Sequence, residues 1–308
     1  MARIFAISDI HVDNLNNMYF VERLSFKKYQ NDVLLLAGDV THDLHKLKST
    51  LLLLKKKFKE VVFVPGNHDI WIREVDSWET SIGKFHRIIR MCKNINVKTD
   101  PFEVTLLDNT TVWIVPLFSW YSTPEEDADD TLYIFDPSIK TPKRDLSNKM
   151  WMDHHYCVWP DDMTETPAKY FGDLNSDRCD VIYDAPVVTI SHMVPRRELI
   201  LADSDDNQKT SEEKRRRGLT TLIEGRQGAA KSFNFTRFAG SQTIENQLRQ
   251  VGAAIHVYGH QHRNRDRCIE GVRYISHCLG STGEQQKGLI TGMDEWKGPK
   301  QILPSPSQ

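Results

Sequence analysis

The residues best suited to chemistry fall in five short clusters: Asp9-Ile10-His11, Gly38-Asp39, Gly66-Asn67-His68-Asp69, Ser191-His192 and Gly259-His260-Gln261-His262. Their side chains offer carboxylate oxygens, an amide oxygen and imidazole nitrogens, and no thiolate. That donor mix suits Zn, Fe, Mn or similar divalent ions and not a structural thiolate zinc site. Asp9/His11 and His260/His262 are separated by one residue, a spacing that in extended backbone sends both side chains to the same side. Gly38, Gly66 and Gly259 each precede a polar residue, where chain reversal and close backbone approach suit a residue without Cβ.

Each cluster follows a short apolar run, and those runs must position it. The pattern predicts strands over 4–8, 32–38 and 60–65, separated by helices over 18–29, 44–58 and 79–92. Continuous apolar strands alternating with helices predict a mainly parallel sheet covered on both faces. In such sheets ligands gather beyond the carboxyl ends of the strands, so segments remote in sequence can converge there. Strands over 102–107 and 111–115 read as a hairpin turning at Asp108-Asn109-Thr110. Residues 119–180, rich in Asp, Trp, Tyr and Pro, read as an insertion or partial lid with one helix at 165–174. The core pattern resumes with a strand at 186–191, a helix at 242–251, a strand at 254–258 and a strand pair at 267–269 and 272–276. The polar stretch 203–235 is expected to be a mobile excursion. The whole reads as one domain over 1–295, with a C-terminal tail, 296–308, that frays.

Composition narrows the function. The chain has 308 residues, 39% of them hydrophobic and 27% charged, which is ordinary for a globular protein. No apolar run approaches the length of a membrane span. The opening residues run straight into a strand and carry an early Asp9, so no secretory signal is read and the chain is expected to be cytoplasmic. Five cysteines without a tight C-x-x-C pair read as reduced thiols. A net charge of −2 disfavours a long nucleic acid held by phosphate neutralisation, but not a small anion met by bound cations.

Asp-x-His, Gly-Asp, Gly-Asn-His-Asp, a lone His after a strand and Gly-His-x-His, in that order from residue 9 to residue 262, resemble the calcineurin-like metallophosphoesterase family. The resemblance implies an α/β fold, a four-layer αββα sandwich of mixed sheets with a dimetal site at strand carboxyl ends. It implies two divalent metal ions, Mn, Zn, Fe, Co or Mg, one held by Asp9, His11 and His262, the other by Asn67, His192 and His260, with Asp39 bridging. His68 would bind phosphate and act as general acid, and a metal-bridging hydroxide would attack the phosphorus in line. No covalent intermediate is required, so Ser191 is not the nucleophile. The stretch Gly38-Asp39-Val40-Thr41-His42-Asp43 and the Asp69 after His68 depart from the protein Ser/Thr phosphatases of the family. His42 stands where purple acid phosphatases carry a metal-binding Tyr, which implies a colourless enzyme.

The expected activity is hydrolysis of a small phosphate mono- or diester, a nucleotide among the options, by a protein of unknown oligomeric state. Two alternatives stand beside it: a nuclease acting on DNA or RNA, and a non-catalytic scaffold on the same fold. The scaffold fits poorly with a chain that keeps all seven ligand positions and His68. Arg196, Arg197 and Arg263 are placed to reach a substrate phosphate together with Asn67 and His68. Trp71, Trp78, Trp120 and Tyr121 are read as lid or core packing before base stacking. His45, His86, His154, His155, His256 and His277 are read as satisfied polar residues.

Overall fold

The apolar runs that precede the five clusters become strands because both of their faces find cover. In a computed structural model, residues 1–73, 79–123, 129–135, 146–219, 233–294 and 296–304 are described. The chain runs β1 (Ile4–Ile7), α1 (Leu15–Arg23), β2 (Val33–Ala37), α2 (Leu44–Lys55), β3 (Glu60–Val64), α3 (Ser81–Asn94), β4 (Phe102–Thr105) and β5 (Thr111–Pro116). Short helices α4 (Ser147–Met150), α5 (Asp153–Tyr156), α6 (Pro167–Asp173) and α7 (Ser176–Cys179) follow, then β6 (Val187–Ile190) and α8 (Ser204–Arg216). The chain continues with α9 (Gln242–Gln250), β7 (Ala253–Tyr258), β8 (Arg265–Ile269), β9 (Val272–Ser276), α10 (Thr282–Gln286) and β10 (Lys300–Leu303).

Two mixed sheets result, in the orders β10-β1-β2-β3 and β4-β5-β6-β7-β9-β8. Strands β1, β2 and β3 are mutually parallel, as are β5, β6, β7 and β9; β10, β4 and β8 join antiparallel. Alternation along β2 shows the layering. Val33, Leu35 and Ala37 pack into a core with Val112, Ile114, Val188, Ile190 and Val257 of the second sheet. Leu34 and Leu36 face the other way, onto Leu47, Leu51 and Leu54 of α2 and Phe85 and Ile88 of α3. The outer face of the second sheet packs Val187, Tyr258 and Tyr274 against Leu248 and Val251. The four-layer αββα arrangement is therefore present. The cover differs from the simple sequence pattern in one way: each sheet has helices on one face and the other sheet on the second. Both covers demand the same apolar runs, so periodicity cannot tell them apart.

Other departures have local causes. Helix α1 begins at Leu15 because Asn14 caps it, accepting from the Asn16 N–H, and it ends at Arg23. Beyond it the Ser25 hydroxyl accepts from the Lys27 and Lys28 N–H groups and makes a turn. The tail expected to fray instead supplies β10, whose Ile302 is wholly buried between the sheets. The polar stretch 203–235 carries α8, capped by Asp203, with its Asp206 bonded to Arg265 and Arg267. Glu213 of α8 accepts from the Gly292 and Met293 N–H groups. Residues 220–232 of that stretch lie outside the described residues, as do 124–128 and 136–145 of the insertion, Trp78, and 305–308 of the tail. The described part of 119–180 is woven into the core: Trp120, Tyr121 and Phe171 are buried, and Trp120 stacks on Phe171. None of the described helices is long and apolar enough to cross a membrane.

Candidate active site

The parallel strands of both sheets end at one edge, and the turns beyond β1, β2, β3, β6 and β7 bring the five clusters together. Ligand-type atoms of Asp9, His11, Asp39 and His262 lie within 4.8 Å of one another, and so do those of Asp39, His192 and His260. The two groups share Asp39. In the first, His262 Nε2 is 3.3 Å from Asp9 Oδ1 and 3.1 Å from His11 Nε2. In the second, Asn67 Oδ1 lies 3.0 Å from His192 Nε2 and 3.1 Å from His260 Nδ1, and His192 Nε2 is 3.4 Å from Asp39 Oδ1. His68 stands at the rim, its Nε2 3.8 Å from Asp39 Oδ2 and its ring stacked on Trp71 at 3.6 Å.

The local backbone that achieves this is not the extended one the i, i+2 spacing suggested. Asp9, His11, Asp39, His260 and His262 all have positive φ, between 36° and 69°. Such a conformation costs a non-glycine residue roughly 1–2 kcal/mol, and it persists here because packing and hydrogen bonds over-determine the turns. Twists at alternate residues, not a pleat, aim each pair inward. Glycine is required beside them. A Cβ on Gly66 would land on the Asp39 carboxylate, and one on Gly38, itself at φ +76°, would land on the His192 ring.

The calcineurin-like phosphoesterase family profile matches residues 2–264. This chain is a calcineurin-like phosphoesterase. It is 32% identical over 121 residues to the acyl-carrier-protein phosphodiesterase PptH of Mycobacterium tuberculosis (strain ATCC 25618 / H37Rv), a stretch covering 38% of this chain and 37% of that relative. The match thus spans little more than a third of the curated relative's length. The crystal structure of phosphopantetheinyl hydrolase (PptH) from M. tuberculosis superposes with a TM-score of 0.67 at 22% identity, over 100% of this chain and 98% of that one, a likeness of fold. Membership of this family points to hydrolysis of phosphate ester bonds.

Around the phosphoesterase clusters, hydrogen bonds fix which nitrogen of each imidazole is free. His192 Nδ1 is bonded to the Ala37 carbonyl at 2.8 Å and His260 Nε2 to the Phe238 carbonyl at 2.8 Å. His262 Nδ1 meets Glu284 at 2.8 Å. With those protons placed outward, His192 Nε2 and His260 Nδ1 turn lone pairs inward, an arrangement typical of metal-holding histidines. Burial opposes a charge on His262, but Asp9 and Glu284 raise its pKa well above the ordinary value. Asp69 accepts four backbone N–H bonds, from Asp39, Val40, Thr41 and Gly66, and so ties the turn after β2 to the turn after β3. Asp43 caps α2 through the Lys46 N–H and does not face His68, while His42 lies 3.5 Å from Asp13.

The electrostatics of the pocket suit cations. Burial, then the neighbouring carboxylates of Asp9 and Asp69, push the Asp39 carboxyl well above its ordinary range. Burial opposes the Asp9 carboxylate too, but His262, His192 and His11 hold it below its usual value. Burial and neighbouring imidazoles take His11 down to about 4 and His260 to about 3, so their lone pairs stay free. Two buried carboxylates sharing a pocket with inward-facing lone pairs are a donor set that a pair of divalent cations satisfies.

The remaining expected substrate contacts are placed differently. The Arg196 guanidinium is occupied by Glu198, Glu245 and Glu270, and Arg197 donates to the Thr131 carbonyl at 2.7 Å. Arg196 is not free for the bidentate phosphate contact expected of it, because three carboxylates already engage it. Arg263 sits beside the site and donates to the carbonyls of its neighbour His262 and of Leu289. Trp120 and Tyr121 pack in the core, and Trp71 lies under His68. His256 bridges Thr189 and Ser191, and His277 meets the Gly298 carbonyl, as satisfied polar residues do.

Sequence reading missed three residues near the centre: Glu284, Ser119 and Asp153. Ser119 accepts from the His192 and Met193 N–H groups, and Asp153 accepts from the Asn67 amide. Glu284 alone had a local signal, since Ser281-Thr-Gly-Glu284 spells a capping box, and the box is formed. Ser119 and Asp153 had none.

Proposed function

We propose that this phosphoesterase hydrolyses a phosphodiester using two divalent cations, one held by Asp9, His11, Asp39 and His262, the other by Asp39, Asn67, His192 and His260. The observation that carries the reading is the sharing of Asp39 by the two groups of ligand-type atoms. Bound there, such a cation pair supplies Lewis acidity toward a phosphoryl oxygen and lowers the pKa of water into the nucleophilic range. Asp39 would be a ligand at both positions. His68, one-third exposed at the rim, is within reach of an oxygen of a phosphate placed over Asp39, where it binds that phosphate and protonates the leaving oxygen. The Trp71 ring beneath it limits rotation and keeps that face of the imidazole dry.

A diester is favoured over a monoester because the similar M. tuberculosis protein is named a phosphodiesterase, and a diester borne on a carrier protein is the first substrate to test. The protein, loaded in turn with Mn, Zn, Fe, Co or Mg, is assayed on aryl mono- and diesters, cyclic nucleotides, oligonucleotides and phosphopantetheinylated acyl carrier protein. Turnover of diesters above monoesters, with release of the carrier's prosthetic group, is the expected result. Faster cleavage of oligonucleotides would redirect the assignment to a nuclease. Inertness toward every ester with each cation would overturn it.

A further inference from the structure

The segment 119–180, first read as a partial lid, delivers a buried carboxylate to the candidate cation centre. Asp153 opens α5 and is 2% exposed. Its Oδ1 accepts from two donors of different elements, the Asn67 amide at 2.8 Å and the Trp71 indole N–H at 2.6 Å. Its Oδ2 accepts from the Trp151 indole N–H at 2.9 Å. The helix is held there by the chain itself: the Ile72 N–H donates to the Tyr156 carbonyl at 2.7 Å, and Trp151 stacks on Phe238 at 4.7 Å.

An asparagine amide has a donor end and an acceptor end of nearly equal size, and only the acceptor can hold a cation. By taking the Nδ2 end, Asp153 leaves Oδ1 turned toward His192 Nε2 and His260 Nδ1. The same carboxylate oxygen anchors the indole on which His68 leans. One atom of the insertion therefore sets the orientation of a candidate ligand and of the ring beneath the candidate acid.

We infer that Asp153 is a positioning residue for the cation centre, fixing Asn67 Oδ1 toward the second cation position and Trp71 beneath His68. The inference rests on the two-cation reading proposed above. It also assigns the insertion a part in completing the site, beyond covering it. Loss of such an outer hydrogen-bond partner ordinarily weakens cation affinity by about 10- to 100-fold.

The test is calorimetric titration of the metal-stripped full-length protein with Co(II), alongside the Co(II) absorption spectrum and steady-state kinetics. Wild type is expected to bind two equivalents. In Asp153→Ala one binding step should weaken by about 10- to 100-fold while the other, on the Asp9, His11 and His262 side, stays unchanged, and the absorption bands of the weakened site should shift. At saturating Co(II) kcat should remain depressed, because Trp71 has lost its anchor. Trp71→Phe, which keeps a ring under His68 but removes the N–H, should leave both binding steps intact and lower kcat alone. If Asp153→Ala does not fold, Asp153→Val serves in its place: it fills more of the space and offers no acceptor to the Asn67 amide, so the same step should weaken. Two unchanged binding steps in a folded Asp153 variant would overturn the inference and leave the two-cation reading standing. Fewer than two equivalents in wild type would overturn both.

Discussion

In the proposed mechanism Asp39 and His68 divide the chemistry between a buried and a half-buried side chain. Asp39 is 2% exposed, takes the His68 backbone N–H on Oδ1 at 3.0 Å and is shared by both groups of ligand-type atoms. The backbone of His68 is thereby fixed through Asp39, while its imidazole stays at the surface of the site. Removing that imidazole should leave both cations in place. His68→Ala is expected to retain two equivalents by elemental analysis and to lose about 100- to 10,000-fold in kcat, the range for a positioned proton donor. Wild-type turnover in that variant would strip His68 of its role.

At the scale of elements, the site depends on strand ends kept in register by packing far from the chemistry. Strand β1 delivers Asp9 and His11 and is bordered on one side by β2 and on the other by β10. The closing strand contributes few residues, yet Ile302 fills the layer between the two sheets. Ile302→Ala should cost about 2–5 kcal/mol, the usual range for an aliphatic side chain truncated in a core, measured as a fall in the urea midpoint, with cation stoichiometry preserved. A change within 0.5 kcal/mol, about that of an ordinary surface substitution, would mean that β10 is not part of the stabilising core.

For the whole molecule, the interior holds histidines that folding keeps neutral. His256 is fully buried between Thr189 and Ser191, and burial lowers its pKa to about 3 from the usual 6.5. The unfolded chain takes up a proton on this residue near pH 6.5, and the folded chain resists until about pH 3. Stability from neutral His256 is therefore complete above pH 6.5 and is lost as pH falls through the window toward 3. Unfolding free energies measured by urea between pH 7 and pH 5 should fall, and His256→Gln should flatten that dependence by up to about 1.4 kcal/mol per pH unit. His277, at about 4 for the same reason, keeps the variant's slope above zero. Parallel slopes for variant and wild type would remove His256 as a source of acid sensitivity.

The sequence by itself determined the strand runs, their order and the donor types at their ends, because burial of both strand faces and the chemistry of Asp, Asn and His are local properties of residue choice. It also carried the family, through five motifs whose order survives across 250 residues of chain. The pairing of sheet against sheet, the place of β10 and the left-handed turns at Asp9, His11, His260 and His262 came only with the tertiary structure. Each depends on which remote surface covers a segment, and an apolar pattern reports that a face is buried without saying against what. Asp153 shows the limit most plainly. Its carboxylate lies 86 residues from Asn67 in sequence, and only the fold brings the two within 2.8 Å.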